Sequence, residues 1–190
     1  MDSKNQTAAM GILLTISAAH FLSDLLQSVI PASLPVLKEA NALTFAEVGL
    51  ITLTVQITSS HLQPFVGAVS DRHPMPEALP CGMLLSGLGL ILLAHAATLP
   101  AILISVALIG CGSAVFHPES SRTAQDVSGG RRGFAQAVFQ VGGNAGSAMG
   151  PIAAALVVIP YGQSSIGWFS LSAALAFLLL VGVAKTYHRA

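Results

Sequence analysis

The sequence predicts an all-α integral membrane protein, a bundle of six spanning helices. Three observations carry that expectation: scarce charge, six apolar segments of membrane length, and a lopsided distribution of Lys and Arg. Of 190 residues, 53% are hydrophobic and 8% charged, with a mean hydropathy of +0.74. A water-soluble domain carries about 25% charged residues, so this chain cannot coat a water-facing surface and its natural solvent is lipid.

A spanning helix needs roughly 20 mainly apolar residues. Six segments qualify, at about 8–30, 45–69, 79–97, 101–124, 134–158 and 165–184. Turn and charge signals separate them. Pro31 and Pro35 are expected to end the first helix. The run from Asp71 through Arg72, His73, Pro74, Met75 and Pro76 ends the second. Thr98-Leu99-Pro100 divides the third from the fourth, the run 128–133 with Arg131 and Arg132 the fourth from the fifth, and Pro160-Tyr161-Gly162 the fifth from the sixth. The polar start, Met1 to Thr7, leads into an apolar stretch that no small-residue cleavage site closes, so the first helix is read as retained.

Loop charge sets the orientation. With the amino terminus inside, Lys4, Arg72, Arg122, Arg131, Arg132, Lys185 and Arg189 fall on the inner side and Lys38 alone on the outer side. Both termini are therefore expected in the cytoplasm, and an odd number of spans would spoil the asymmetry. Net charge is zero, so there is no basic surface for nucleic acid. Cys81 and Cys111 lie in apolar runs without ligand spacing and read as small core residues.

The helices are not equivalent. The first carries His20, Asp24 and Gln27, and the fourth carries His117, Glu119 and Arg122. The second and fifth carry amides: Gln56 and Gln63 in one, Gln136, Gln140 and Asn144 in the other. The third and sixth have uncharged interiors. The order ionisable, amide-rich, apolar thus occurs twice, a three-plus-three internal repeat of the kind found in transporter folds.

Ser17, His20, Asp24 and Gln27 are spaced by 3, 4 and 3 residues and share one helical face. A carboxylate at the bilayer centre costs a few kcal/mol and persists only facing protein or water. Asp24 and His20 therefore either line a polar cavity that binds protons or substrate, or make a structural hydrogen bond to a neighbouring helix. In the fourth helix Pro118 removes a backbone hydrogen bond and is expected to kink or unwind the chain. Glu119 and Arg122, three apart, can pair. That cluster is either proton- and substrate-responsive or a salt bridge that anchors the helix end. Gly67 permits close helix approach, and Asp71 can sit at a helix terminus or pair with a basic residue. Gly146 and Gly150 make a small-xxx-small step, followed by Pro151; they serve helix packing, a flexing gate, or both. His61, His73, His95 and His188 receive no role. No nucleophile–base pair, phosphate loop or metal set is visible, so no enzyme, cofactor or metal site is expected.

Gly67, Asp71 and Arg72 resemble the start of the loop motif G-x-x-x-D-R-x-G-R-R of the major facilitator superfamily, with His73-Pro74-Met75-Pro76 replacing its remainder. Gly146, Gly150 and Pro151 resemble the fifth-helix motif of that superfamily's drug–proton antiporters. Leu53-Thr54, Ser59-Ser60, Leu62-Gln63-Pro64, the run 116–122 and the run 139–144 are similar to the fosmidomycin resistance protein group within it. The resemblance runs from about Gly11 to Tyr187. It implies a twelve-helix fold in two six-helix halves, of which this chain matches the amino-terminal half. Helices 1 and 4 then face the cavity, 2 and 5 lie at the seam between halves, and 3 and 6 pack outside. It also implies an inner-membrane, multi-pass antiporter in bacteria, which drives efflux of a small anionic antibiotic with protons and so confers antibiotic resistance.

One half alone would leave Gln56, Gln63, Gln140 and Asn144 facing lipid, at about 1–3 kcal/mol for each unpartnered group. The expected partners are a small-molecule substrate, protons, the lipid bilayer, and either a second six-helix half or a copy of the chain. The alternative is a truncated or accessory six-helix membrane protein without transport of its own.

Overall fold

The computed structural model describes residues 3–72, 75 and 77–187. His73, Pro74, Pro76, His188 and Arg189 lie outside the described residues, as does the Lys4 side chain. No strand occurs among the described residues. The elements are α1 (Ser3–Ala40), α2 (Phe45–Gln56), a π turn (Ile57–His61), α3 (Gln63–Arg72), α4 (Ala78–His95), α5 (Leu99–Asp126), α6 (Arg132–Ala153), a second π turn (Ala154–Val158), α7 (Ile159–Tyr161), a 3-10 segment (Gln163–Phe169) and α8 (Ser170–Tyr187).

Among the described residues, five helical stretches are long and apolar enough to cross a membrane: Ala9–Ala40, Ala78–His95, Leu99–Asp126, Arg132–Tyr161 and Gln163–Lys185. The sixth span is α2 and α3 joined through the π turn. There Thr58 and Ser59 donate their hydroxyls to the carbonyls of Thr54 and Val55. The span opens on a complete capping box, with the Thr44 hydroxyl accepting from the Glu47 amide and the Glu47 carboxylate accepting from the Thr44 amide.

Two expectations about proline are corrected. Pro31 and Pro35 do not end the first helix: α1 runs 38 residues, straight through both. They stand four apart on an exposed face, and Ser33 between them hydrogen-bonds back to Val29. Proline is tolerated in a membrane helix when side chains, neighbouring helices or a cavity accommodate the freed backbone groups, and Pro31 borders a cavity. Pro118 likewise does not unwind α5, which is continuous from Leu99 to Asp126. Ser120 returns a hydroxyl to the Phe116 carbonyl, and Gly67 of α3 lies against the proline ring. Helix α6, by contrast, changes pitch three residues after Pro151.

Without a hydrophobic force between helices in lipid, close backbone approach holds the bundle together. Gly142, Gly146 and Gly150 lay α6 directly on α1: a Cβ at Gly146 would collide with the Phe21 carbonyl oxygen. Gly82 and Gly112 do the same for α4 on α5, where a Cβ at Gly82 would lie 2.7 Å from the Gly112 carbonyl oxygen.

The packing is closed under a three-plus-three exchange. Helix α6 packs on α1 as the α2–α3 span packs on α5; α4 packs on α5 as α8 packs on α1; α1 meets α5, and α4 meets α8. Helices α4 and α8 expose Leu84, Leu88, Ile91, Leu171, Leu175 and Leu178, the apolar surface expected of lipid-facing helices. The six spans form two interlocked sets of three, with α1 and α5 meeting at the centre.

Candidate functional site

The polar face of α1 and the polar end of α5 meet inside the bundle. His20 and Asp24 are one turn apart on α1, while His117 approaches from α5. His117 Nε2 lies 2.9 Å from Asp24 Oδ1, and His20 Nε2 lies 3.4 Å from Asp24 Oδ2. His20 is buried, and Asp24 and His117 are partly buried.

Backbone carbonyls orient both rings. His20 Nδ1 donates to the Phe139 carbonyl at 2.9 Å, and His117 Nδ1 to the Ser113 carbonyl at 3.0 Å. A carbonyl only accepts, so each Nδ1 carries the hydrogen and each Nε2 is turned to the carboxylate. The Phe139 ring stacks on His20 with centroids 3.9 Å apart and planes at 16°. Gly143 lets α6 come this near, because a Cβ there would strike the imidazole. The Ser147 hydroxyl donates to Asp24 Oδ2 at 3.4 Å, and the Ser113 hydroxyl donates to Gln27 Oε1 at 2.8 Å.

Asp24, Gln27 and His117 border an open-sided cavity of about 470 Å³, lined elsewhere by residues of α1, α2, the π turn, the start of α3 and Ser147. Gln56 and Gln63 line it as well. Sequence reasoning named those five; it missed Ser28 and Ser147, which also line the cavity, and Ser113, which bonds Gln27. The available signal was helical spacing: Ser28 follows Asp24 by four, and Ser113 precedes His117 by four. Ser17, on the predicted polar face, instead clasps α6 through the Val138 carbonyl at 2.7 Å.

The other expected residues lie apart from this cluster. Glu119 is 2% exposed and accepts from the Ser70 hydroxyl of α3. It does not pair with Arg122. The Arg122 Nε lies 4.0 Å from Asp126 one turn further on, and its Nη1 is buried without a hydrogen-bond partner. The pairing fails because Glu119 points across to α3 while Arg122 lies along its own helix. Gln140 and Asn144 are exposed on α6 and do not reach the cavity. Gly67 is part-buried near Pro118, while Asp71 and Arg72 are exposed at the end of α3. Gly146 and Gly150 are buried against α1, and Pro151 is exposed.

The model of the Major Facilitator Superfamily matches residues 16–189. The chain belongs to that superfamily. It is a multi-pass protein of the bacterial inner membrane. It is 50% identical over 179 residues to the fosmidomycin resistance protein of Escherichia coli, covering 94% of this chain and 44% of that protein. It is 47% identical over 184 residues to the uncharacterized MFS-type transporter YfnC of Bacillus subtilis, covering 97% and 45%. The fold also matches a crystal structure of the peptide transporter POT in complex with alafosfalin. The TM-score is 0.78 at 20% identity, over 97% of this chain and 42% of that one. A POT structure with sulfate matches at a TM-score of 0.74 and 19% identity, over 94% and 38%. The chain spans a little under half the length of the curated relatives it matches.

Proposed function

We propose that this chain forms the amino-terminal half of a proton-coupled exporter for a small anionic antibiotic such as fosmidomycin, with its pathway through the cavity beside Asp24. The observation that carries this reading is the carboxylate of Asp24 held between two imidazoles at the cavity wall. In a weakly polar surround, adding or removing a proton changes the cost of occluding the group. Proton uptake at the cluster thereby biases which side the cavity opens to. The substrate class rests on the 50% identity with a protein named for fosmidomycin resistance. Glu119 is the lesser candidate for the coupling proton, since it is sealed against Ser70 away from the cavity.

The exposed amides Gln56, Gln140 and Asn144, with Leu53 and Val141 beside them, make a face suited to a second six-helix half or a second copy of the chain. Both termini are assigned to the cytoplasm on the charge asymmetry. The test is fosmidomycin transport driven by a pH gradient in vesicles that hold the complete assembly. Wild-type flux that disappears with Asp24→Asn supports the reading; equal flux from Asp24→Asn and Glu119→Gln removes it. One other reading is an accessory membrane subunit without transport of its own. That reading predicts no gradient-driven flux with any partner half.

A further inference from the structure

We propose that His20, Asp24 and His117 form a binding site for a divalent first-row transition metal ion of the Zn²⁺, Co²⁺ or Ni²⁺ class. This rests on the geometry of the cluster and does not require the transport reading. No metal set is visible along the sequence, because the ligands come from two helices and 93 residues separate Asp24 from His117.

Each histidine commits its Nδ1 hydrogen to a backbone carbonyl, so Nε2 is the nitrogen each ring turns to Asp24. Protons shared with the carboxylate hold these atoms together, and a divalent cation can replace them by taking a lone pair from each Nε2 and from an Asp24 oxygen. The ligand atoms lie within 4.8 Å of one another. Zinc bonds nitrogen and oxygen at about 2.0–2.2 Å, which sets tetrahedral ligand atoms roughly 3.3–3.5 Å apart. The His20–Asp24 separation of 3.4 Å already suits this, and the 2.9 Å His117–Asp24 contact must open by about half an ångström.

The surroundings match a metal site as well. Metal-bound histidines donate their other ring hydrogen to a carbonyl or carboxylate, which fixes tautomer and orientation; both rings here do so. Ser147 donates to Asp24 from the outer shell. Stacking on Phe139 holds His20. Asp24 and His117 border the cavity, so an ion has an entry path. Two imidazoles and one carboxylate suit borderline metals, whereas calcium and magnesium favour oxygen ligands. A divalent ion would keep one positive charge and an open position toward the cavity, which water or an anionic group completes.

The test is a Co²⁺ titration of the tag-free protein in nanodiscs, read by visible ligand-field absorption and reversed with Zn²⁺. The expected result is one saturable site per chain. Loss of an outer partner typically weakens metal affinity 10–100-fold, and His117→Ala or Asp24→Ala, which remove a direct ligand, should exceed that. His61→Gln, outside the cluster, should bind as wild type. His117→Cys retains a ligand and should add an intense thiolate-to-cobalt charge-transfer band, a gained signal that misfolding cannot mimic. The proposal is overturned if wild type shows no saturable site. It is equally overturned if His117→Ala and Asp24→Ala bind unchanged, or if folded His117→Cys shows no new band.

Discussion

Asp24 on α1 and His117 on α5 stand 2.9 Å apart, although 93 residues of chain separate them. Three other residues fix the contact: Ser113 orients the ring, Ser147 reaches the carboxylate, and His20 meets its second oxygen. Side chains in one such network couple by roughly 0.5–3 kcal/mol. Asp24→Ala, His117→Ala and the double variant should therefore be non-additive by that amount in unfolding measurements in detergent. Strict additivity would mean the two helices are not joined here.

The α1–α6 contact depends on glycine. A Cβ at Gly146 meets the Phe21 carbonyl, which is backbone and cannot rotate away. Gly146→Ala should cost about 1–3 kcal/mol, the usual scale of overpacking, and lower the melting temperature. Gly11→Ala, where a Cβ meets nothing within 4 Å, is the matched control and should melt as wild type.

Gln163 clasps the end of the bundle opposite the termini. Its amide donates to the Leu93 and Ala96 carbonyls at 2.8 and 2.7 Å and accepts from Asn41 at 2.7 Å. Gln163→Leu removes all three bonds, leaving Leu93 only the Ala96 amide and taking the side-chain donor from the Ala96 carbonyl, and should cost about 1–3 kcal/mol. Hydrogen exchange would show local loss of protection at the ends of α1 and α4, with the middle of α5 unaffected.

The all-helical, six-span architecture was legible because lipid demands long apolar runs and the loops between them carry the charge. Side-chain polarity also singled out His20, Asp24 and His117, since ionisable groups in hydrocarbon need a shared interior. Hydrogen bonds that cross helices were not legible. Periodicity placed Glu119 three residues from Arg122, but it could not show that Ser70 takes the carboxylate. Proline rules for water-exposed helices misplaced the end of α1 by ten residues, because a membrane helix tolerates proline beside protein or a cavity, and Pro31 borders one. Ser113 and Ser147 went unnoticed because a serine in a membrane helix is most often a packing residue.

Orientation has its own test. With Cys81 and Cys111 replaced by alanine, Asn41→Cys should react with impermeant maleimide from outside intact cells. Ser128→Cys should react only after permeabilisation. The opposite pattern would invert the assigned topology.

Gradient-driven transport by the complete assembly, compared between wild type, Asp24→Asn and Glu119→Gln, tests the central claim most directly. The account predicts that Asp24→Asn, which keeps shape but removes charge from the cavity wall, loses transport against a gradient while Glu119→Gln largely retains it. Wild-type transport by Asp24→Asn in a correctly folded assembly would contradict it.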